Sequence, residues 1–374
     1  VPVLLLVGAG HAHLYVVKRA RELAAAGYRV QLLSPPFFHY SAVASATAAG
    51  VLPQEAGRID VRALARASGV ELYEATLVRL DLDARIAVTS DGAALSYDVL
   101  SLNIGSVVAA VPGMRVDPTA VTVKPLSGLA ELDERLRDPA RLGADVTIVG
   151  GGATGLELAA HLAVRRDVGR VRVVESGRDV GAGLPPGARR RLNRLLAQRG
   201  VEVRTRCAVT DVRERRVVCA DGTEISHDVA LMATGLSAPP LITELGLGDE
   251  HGVPVRDTLQ HIDLDEIYAV GDCAHFTSQA LPRIGVHGVR QGPVLLRSLL
   301  DRRRGRPLPV YEPRRHALSV LDLGEGVGLA VRGRWWWCGA SALRLKRRID
   351  RRWLAQYQVV DPGRSAGRQW VSPS

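Results

Sequence analysis

Two glycine-rich turns carry the residues whose types and spacing point to chemistry. In the more complete one, Gly150, Gly152 and Gly155 hold the G-x-G-x-x-G positions, after an apolar run at 146–149 and before a helical pattern at 156–162. Glycine at these positions lets the backbone approach a pyrophosphate, and the helix start offers free N–H groups and a positive dipole end. Twenty residues beyond Gly155 the next apolar run, 171–174, ends in Glu175. That is the spacing of a carboxylate that binds a ribose hydroxyl. It favours NADH, because a carboxylate repels a 2′-phosphate, while Arg178 nearby keeps NADPH open. Glu157 falls in the first turn of the same helix, where it either offsets the dipole or faces a nicotinamide.

The other turn, Gly8-Ala9-Gly10-His11-Ala12-His13, follows the apolar run 3–7 and opens an amphipathic pattern at Leu14, Val16, Val17, Ala20 and Leu23. Its third glycine is replaced by His13. The next strand, 28–34, ends in Ser34, whose hydroxyl can take part in ribose binding without specifying it. Pro35 and Pro36 then force an irregular loop through Tyr40, with aromatics that either flank a ring cofactor or cap the core. Each unit closes with a buried strand running into a glycine, at 97–105 (Gly105) and 227–235 (Gly235). A third such strand ends in Gly271-Asp272, a carboxylate placed to hold a sugar-like hydroxyl at the mouth of a sheet. His11 and His13 read as packing or capping groups rather than catalysts. Lys124, one of three lysines in an arginine-rich chain, sits beside a domain crossing, where it either reaches a bound ring or is a plain surface lysine.

Buried strands alternating with helices must be parallel to bring these turns to one edge. The fold class expected is α/β, with two Rossmann-like dinucleotide-binding domains and a small α+β C-terminal domain. Proline-glycine and proline-proline breaks divide the chain into 1–113 and 238–300 for the first domain, 114–237 for the second and 301–374 for the last. In the last, strands are expected at 318–321, 327–331 and 334–337. A helix is expected over 342–357, with Leu345, Ile349, Trp353 and Leu354 on one face among arginines.

Of 374 residues, 47% are hydrophobic and 24% charged, which excludes a disordered chain. No apolar run nears the ~20 residues of a bilayer span, and the N-terminus enters a strand without a basic leader. A cytoplasmic protein is expected. Cys207, Cys219, Cys273 and Cys338 show no metal-ligand spacing, so neither metal nor disulfide is expected. The net charge of +10 arises after residue 300, where Lys and Arg number 16 and Asp and Glu 6. A basic helix carrying a tryptophan suits peripheral docking on an anionic inner membrane face. The same helix equally covers a sheet or forms a homodimer contact. No nucleic-acid motif accompanies the charge.

The chain resembles the two-dinucleotide-binding flavoproteins of the pyridine nucleotide-disulfide oxidoreductase superfamily. Within it the likeness is to type II NADH dehydrogenase-like FAD proteins, including those fused to selenide, water dikinase. Residues 8–13, 40–41, 58–62, 123–125 and 288–293 carry that narrower likeness. The resemblance implies FAD in the first unit, NAD(P)H in the second, and Gly271 with Asp272 on the flavin's ribityl chain. It places Arg290 and Gln291 where type II enzymes have two glutamines beside the flavin. With no cysteine before Cys207, disulfide-reductase chemistry is excluded and sulfide:quinone chemistry demoted. The function expected is NADH oxidation through flavin to a quinone or other small acceptor, with Glu157, Lys124, Arg290 and Gln291 as candidate catalytic groups. The alternative is a redox-sensing flavoprotein whose reduced state controls a partner or membrane interaction.

Overall fold

The computed structural model describes residues 1–314 and 316–358; the last sixteen residues of the expected 301–374 domain lie outside them. Two five-stranded sheets organise the chain. The first is built from β1 (Val3–Val7), β2 (Arg29–Leu33), β3 (Glu71–Tyr73), β4 (Val99–Leu102) and β10 (Ile267–Ala269) in the order β10-β4-β1-β2-β3. All pairs are parallel, with Val7 opposite both Leu33 and Leu102. The second holds β5 (Val121–Thr122), β6 (Ala144–Val149), β7 (Val168–Val174), β8 (Glu202–Arg204) and β9 (Val229–Met232), ordered β5-β9-β6-β7-β8 and likewise parallel. The strand order reverses beside β1 in the first sheet and beside β6 in the second, and ligands bind α/β sheets at such switch points.

The helices lie where the glycine turns require them. α1 (His11–Lys18) follows β1, α2 (Ala153–Leu162) follows β6, and α3 (Pro186–Gln198) follows β7. α4 (Gly285–Arg303) lies against α1 through small residues: a Cβ on Gly288 would stand 3.2 Å from that of His11, and one on Gly292 2.9 Å from that of Tyr15. The C-terminal sheet is antiparallel, β11 (Ser319–Asp322), β12 (Gly328–Arg332) and β13 (Trp335–Gly339), followed by α5 (Ala340–Leu354). It has no core of its own. Leu321, Leu323 and Leu329 join the core of the second sheet, and Trp353, Leu354 and Tyr357 join that of the first.

Three expectations are corrected. The loop 35–40 contains a short strand, Phe37–His39, because Arg58–Asp60 lies antiparallel to it. α5 buries Ala342, Leu343, Lys346, Asp350, Trp353 and Leu354, while Ile349 is exposed. Its inward face is thus built on a neutralised Lys346–Asp350 pair rather than on Leu345 and Ile349. Trp353 stacks on Tyr40 at 4.4 Å between ring centres and is withdrawn from any membrane. Finally, Cys207 and Cys219 form a disulfide, their Cα atoms 5.5 Å apart. The antiparallel pair Val209–Arg213 and Arg216–Cys219 sets Cys219 opposite Val209, two residues beyond Cys207, a proximity their twelve-residue spacing conceals.

His13 explains how the first unit dispenses with its third glycine. Its ring is fully buried, with Nδ1 2.6 Å from the Gly8 carbonyl and Nε2 2.8 Å from the Ser101 hydroxyl. The carbonyl can only accept, so Nδ1 holds the proton and Nε2 accepts from Ser101. Burial lowers the pKa of His13 to about 4, as it does that of His11. The unfolded chain therefore takes up protons that the native state refuses. Stability contributed by neutral His11 and His13 is complete above pH 6.5 and lost as pH falls toward 4. Chemical denaturation at pH 7 should show His13→Asn destabilised by ~2 kcal/mol, since Ser101 loses its partner. At pH 5 the variant's deficit should shrink; an equal deficit at both pH values would refute the assignment.

Candidate functional site

At the mouth of the first sheet Asn103, just past β4, occupies the start of α1. Its Oδ1 accepts from the amides of Ala12 (3.1 Å) and His13 (3.2 Å), and its Nδ2 donates to the Val270 carbonyl (2.9 Å). A Cβ on Gly8 would lie 2.5 Å from the Asn103 carbonyl oxygen, and one on Gly10 would collide with the Asn103 side chain. In this structure those two glycines admit Asn103, beyond any service to a pyrophosphate. Gly105, at φ +77°, has open space where its Cβ would be. Ser34 is buried and donates to the Pro35 carbonyl. The ring of His11 packs edge-on against Phe38 and Tyr40.

Asp272 is the electrostatic centre of this mouth. Its Oδ2 accepts from Lys124 Nζ (2.7 Å) and from Ser106 Oγ (2.7 Å), and Lys124 also donates to Ser106 (2.8 Å). Burial alone would raise the Asp272 carboxyl, but the Lys124 ammonium and the two hydrogen bonds outweigh it and hold the pKa below the usual value. Gln291 is buried, and its Oε1 accepts from the Gly271 amide at 2.6 Å, fixing the turn that presents Asp272. Arg290 lies in the second turn of α4. Its Nη1 is buried and without a hydrogen-bond partner among the described residues. One buried guanidinium nitrogen without a partner, on the residue before the Gln291 that holds the Gly271 turn, fits an anionic or carbonyl-rich ring such as a flavin.

The mouth of the second sheet is open. A Cβ on Gly150 would strike the Ala233 carbonyl, and one on Gly155 the Gly150 carbonyl, whereas Gly152 faces empty space. The first bond within α2 is Leu156 N–H to the Gly152 carbonyl (3.0 Å), so the amides ahead of it point out of the helix end. Glu175 follows β7 directly and is aimed by two backbone amides, Gly151 N–H to Oε2 and Gly177 N–H to Oε1, each 2.7 Å. Gly151, Gly152, Glu175, Gly177 and Arg178 line a cleft of about 320 Å³. Gly235 closes the neighbouring strand at φ +108°.

Glu157 lies in the second turn of α2 rather than in the first as expected, and its oxygens are engaged: Oε1 accepts from the Asp322 amide (2.6 Å) and Oε2 from Ser45 Oγ (3.1 Å). Burial raises its carboxyl above the usual range, opposed chiefly by the positive charge of Lys346. It thus lies where the first domain, the second and the C-terminal sheet meet. The sequence reading missed the companion cluster: Tyr40 donates to Asp350 Oδ1 (3.0 Å), and Lys346 donates to Asp350 Oδ2 (2.7 Å) and to the Ala42 carbonyl. The available signal was an i,i+4 Lys–Asp pair on the inner side of an otherwise basic helix. Asn103 and Ser106 carried no signal beyond their place after a buried strand.

Two substitutions test these placements. Glu175→Ala should weaken NADH binding about tenfold or more, the worth of a charged hydrogen bond, and narrow the gap to NADPH; titration of both nucleotides measures it. Lys124→Met strands a largely buried carboxylate, costing about 3 kcal/mol, and should raise the pKa of Asp272. Restoration of stability by Lys124→Met/Asp272→Asn in denaturant unfolding would confirm the pairing.

A family model described as pyridine nucleotide-disulphide oxidoreductase matches residues 3–292. Demethylphylloquinone reductase NdbB of Synechocystis is 25% identical, over 99% of this chain and 96% of its own length. An NADH dehydrogenase-like protein of Mycobacterium tuberculosis is 30% identical over 72% of each chain. The nitric oxide reductase FlRd-NAD(+) reductase of Vibrio vulnificus is 32% identical over 59% of this chain, which spans 58% of that relative's length. Among solved structures, the sulfide:quinone oxidoreductase of Aquifex aeolicus superposes with a TM-score of 0.79 at 17% identity, covering 96% of this chain and 91% of its own. NDH2 of Plasmodium falciparum, in complex with NADH, gives 0.79 at 13% identity over 95% and 97%. At those identities the likeness is one of fold, and it is the two-sheet fold described above. With 290 consecutive residues matched by one model, the chain belongs to the pyridine nucleotide-disulphide oxidoreductase family.

Proposed function

We propose that the protein is an FAD-dependent NADH dehydrogenase that hands electrons to a quinone or another small acceptor. FAD and NAD(P)H are the cofactors, and the coarse activity is that of a flavin-dependent NADH oxidoreductase. The observation that carries the finer reading is the contrast between the two sheet mouths. One is an open cleft with a ribose-directed carboxylate. The other holds a buried, charge-compensated turn and, beside the glutamine that fixes it, a guanidinium nitrogen without a partner among the described residues. The full-length relative named as a demethylphylloquinone reductase supports a quinone acceptor.

In this reading Gly152 and the free end of α2 seat the NADH pyrophosphate, and Glu175 accepts from the adenosine ribose. Asp272, with Lys124 and Ser106 on one of its oxygens, orients the ribityl chain of the flavin. Arg290 offers its unpaired N–H to charge that builds up on the reduced ring. Gln291 holds the Gly271 amide and so keeps Asp272 in place. Lys124 stays a positioning group on Asp272. Glu157 holds α2 against the C-terminal sheet. The flavin itself supplies the hydride and electron chemistry.

The purified protein should be yellow, with non-covalent FAD near one per chain. Stopped-flow mixing with NADH should bleach the flavin, and a quinone should restore its colour within the turnover time. A folded protein that takes up no FAD would end the reading. A long-lived reduced state that no quinone, oxygen or sulfide reoxidises would favour the redox sensor instead.

A further inference from the structure

One arginine touches the ends of both large sheets. Arg283 stands ahead of α4, at the close of the irregular stretch that follows Phe276. Its side chain spreads over three backbone carbonyls. Nε donates to the carbonyl of Asp272 (3.0 Å), Nη1 to that of Leu236 (3.2 Å) and Nη2 to that of His251 (2.6 Å). No carboxylate lies within 4.0 Å of it among the described residues. A guanidinium is a planar fork whose nitrogens can serve several acceptors at once. Here the acceptors belong to three separate segments.

Those segments meet where the chain passes between the domains. Leu236 follows Gly235, which closes the second mouth, and belongs to a ribbon of two short strands, Val107–Val108 against Leu236–Ser237. The Gly235 carbonyl accepts from the Ala109 amide, and the Ala109 carbonyl from Thr234 Oγ1, each at 2.9 Å. Both crossings therefore run in this ribbon, and two strands alone are marginal in water. His251 lies in a turn closed by the Gly252 amide on the Asp249 carbonyl (3.0 Å). A Cβ on Gly252 would stand 2.5 Å from the Cys273 carbonyl oxygen, so this turn is pressed against the one that presents Asp272. The backbone that carries Arg283 is anchored as well. Pro282 precedes it, and a Cβ on Gly285 would lie 3.2 Å from the ring of His11. Lys124 balances the charge of the Asp272 side chain. Arg283 holds only the backbone of Asp272, and its contribution is one of shape.

We propose that Arg283 is a positioning residue that orients the Asp272 turn against Gly235 and so sets the approach of nicotinamide to flavin, which presupposes the FAD and NADH sites assigned above. Hydride transfer needs its reacting atoms about 3–3.5 Å apart, and a misplacement of about 1 Å is costly in rate. Asp272 and Gly235 end strands of different sheets, so no ladder of hydrogen bonds within one sheet registers them. Arg283 binds directly beside both. Lysine cannot replace it, because a single ammonium cannot reach carbonyls that three nitrogens of a planar group serve. The Glu175 cleft lies outside these contacts, so capture of NADH does not depend on them.

The test uses the full, FAD-loaded chain with Arg283→Lys, Arg283→Met and Arg283→Ala. Stopped-flow reduction of the flavin at saturating NADH should slow about tenfold or more in all three, while NADH affinity changes by less than about twofold. Amide hydrogen exchange at 235–237 and 271–274 should quicken about tenfold or more, with that of α2 unchanged. Added guanidinium should restore reduction in Arg283→Ala and leave Arg283→Lys slow. Arg283→Lys keeps charge and bulk, which guards against a variant that merely fails to fold. Wild-type reduction rates, full function of Arg283→Lys, or a rate loss that tracks lost FAD or lowered melting temperature alone would overturn the proposal. A chain that takes up no flavin sinks the two-cofactor assignment separately. Hydrogen exchange on that flavin-free chain still reads the junction: quickened exchange in the variants supports it and unchanged exchange overturns it.

Discussion

The geometry of the first sheet's mouth depends on one side-chain amide. Asn103 closes two hydrogen bonds onto the start of α1 and one onto the end of β10, joining segments far apart in the sequence. Both acceptor and donor ends of the amide are used, and the site is buried, so an isostere lacking either end would leave orphaned backbone groups at ~1–3 kcal/mol each. Gly8 and Gly10 keep their lack of a Cβ to let Asn103 in. Gly271 and Asp272 follow one residue beyond the carbonyl it holds. The position of the carboxylate is therefore inherited from a neutral group that does no chemistry.

The two mouths solve the same problem in opposite ways. In the second, the middle glycine faces open space and the helix end is free, as a reversible ligand requires. In the first, the amides of α1 are partly spoken for, the third glycine is a buried neutral histidine, and the key carboxylate is balanced by Lys124. A tightly held prosthetic group suits a rigid, prearranged site; a nucleotide that enters and leaves suits an accessible cleft.

Much of this was legible from residues close in sequence. Apolar runs ending in glycine placed both sheets, and the spacing from Gly155 to Glu175 located the acid that the Gly151 and Gly177 amides now aim. What could not be read was whatever distant chain segments decide. The pairing of Asn103 with Ala12 spans 91 residues and that of Tyr40 with Asp350 spans 310. The burial face of α5 was misjudged for the same reason. Hydropathy ranks Leu345 and Ile349 above Lys346 and Asp350, but the latter two neutralise each other and meet Tyr40 and the Ala42 carbonyl. The disulfide escaped because its partners come within reach of each other only once the hairpin forms.

The C-terminal segment has a mechanical consequence. Leu321, Leu323 and Leu329 are embedded in the core of the second sheet, and Trp353 and Leu354 in that of the first. Each such side chain contributes about 1.5–3 kcal/mol through burial, so a rocking motion that parted the two halves would have to extract a set of them together. Glu157, bonded to both Ser45 and Asp322, adds a polar rivet at the same seam. The segment acts as a clasp across two bodies that a pair of crossings would otherwise leave free to swing. The spacing of the two mouths is then set by the clasp, and the Glu175–Gly183 rim is the side on which the second mouth lies open.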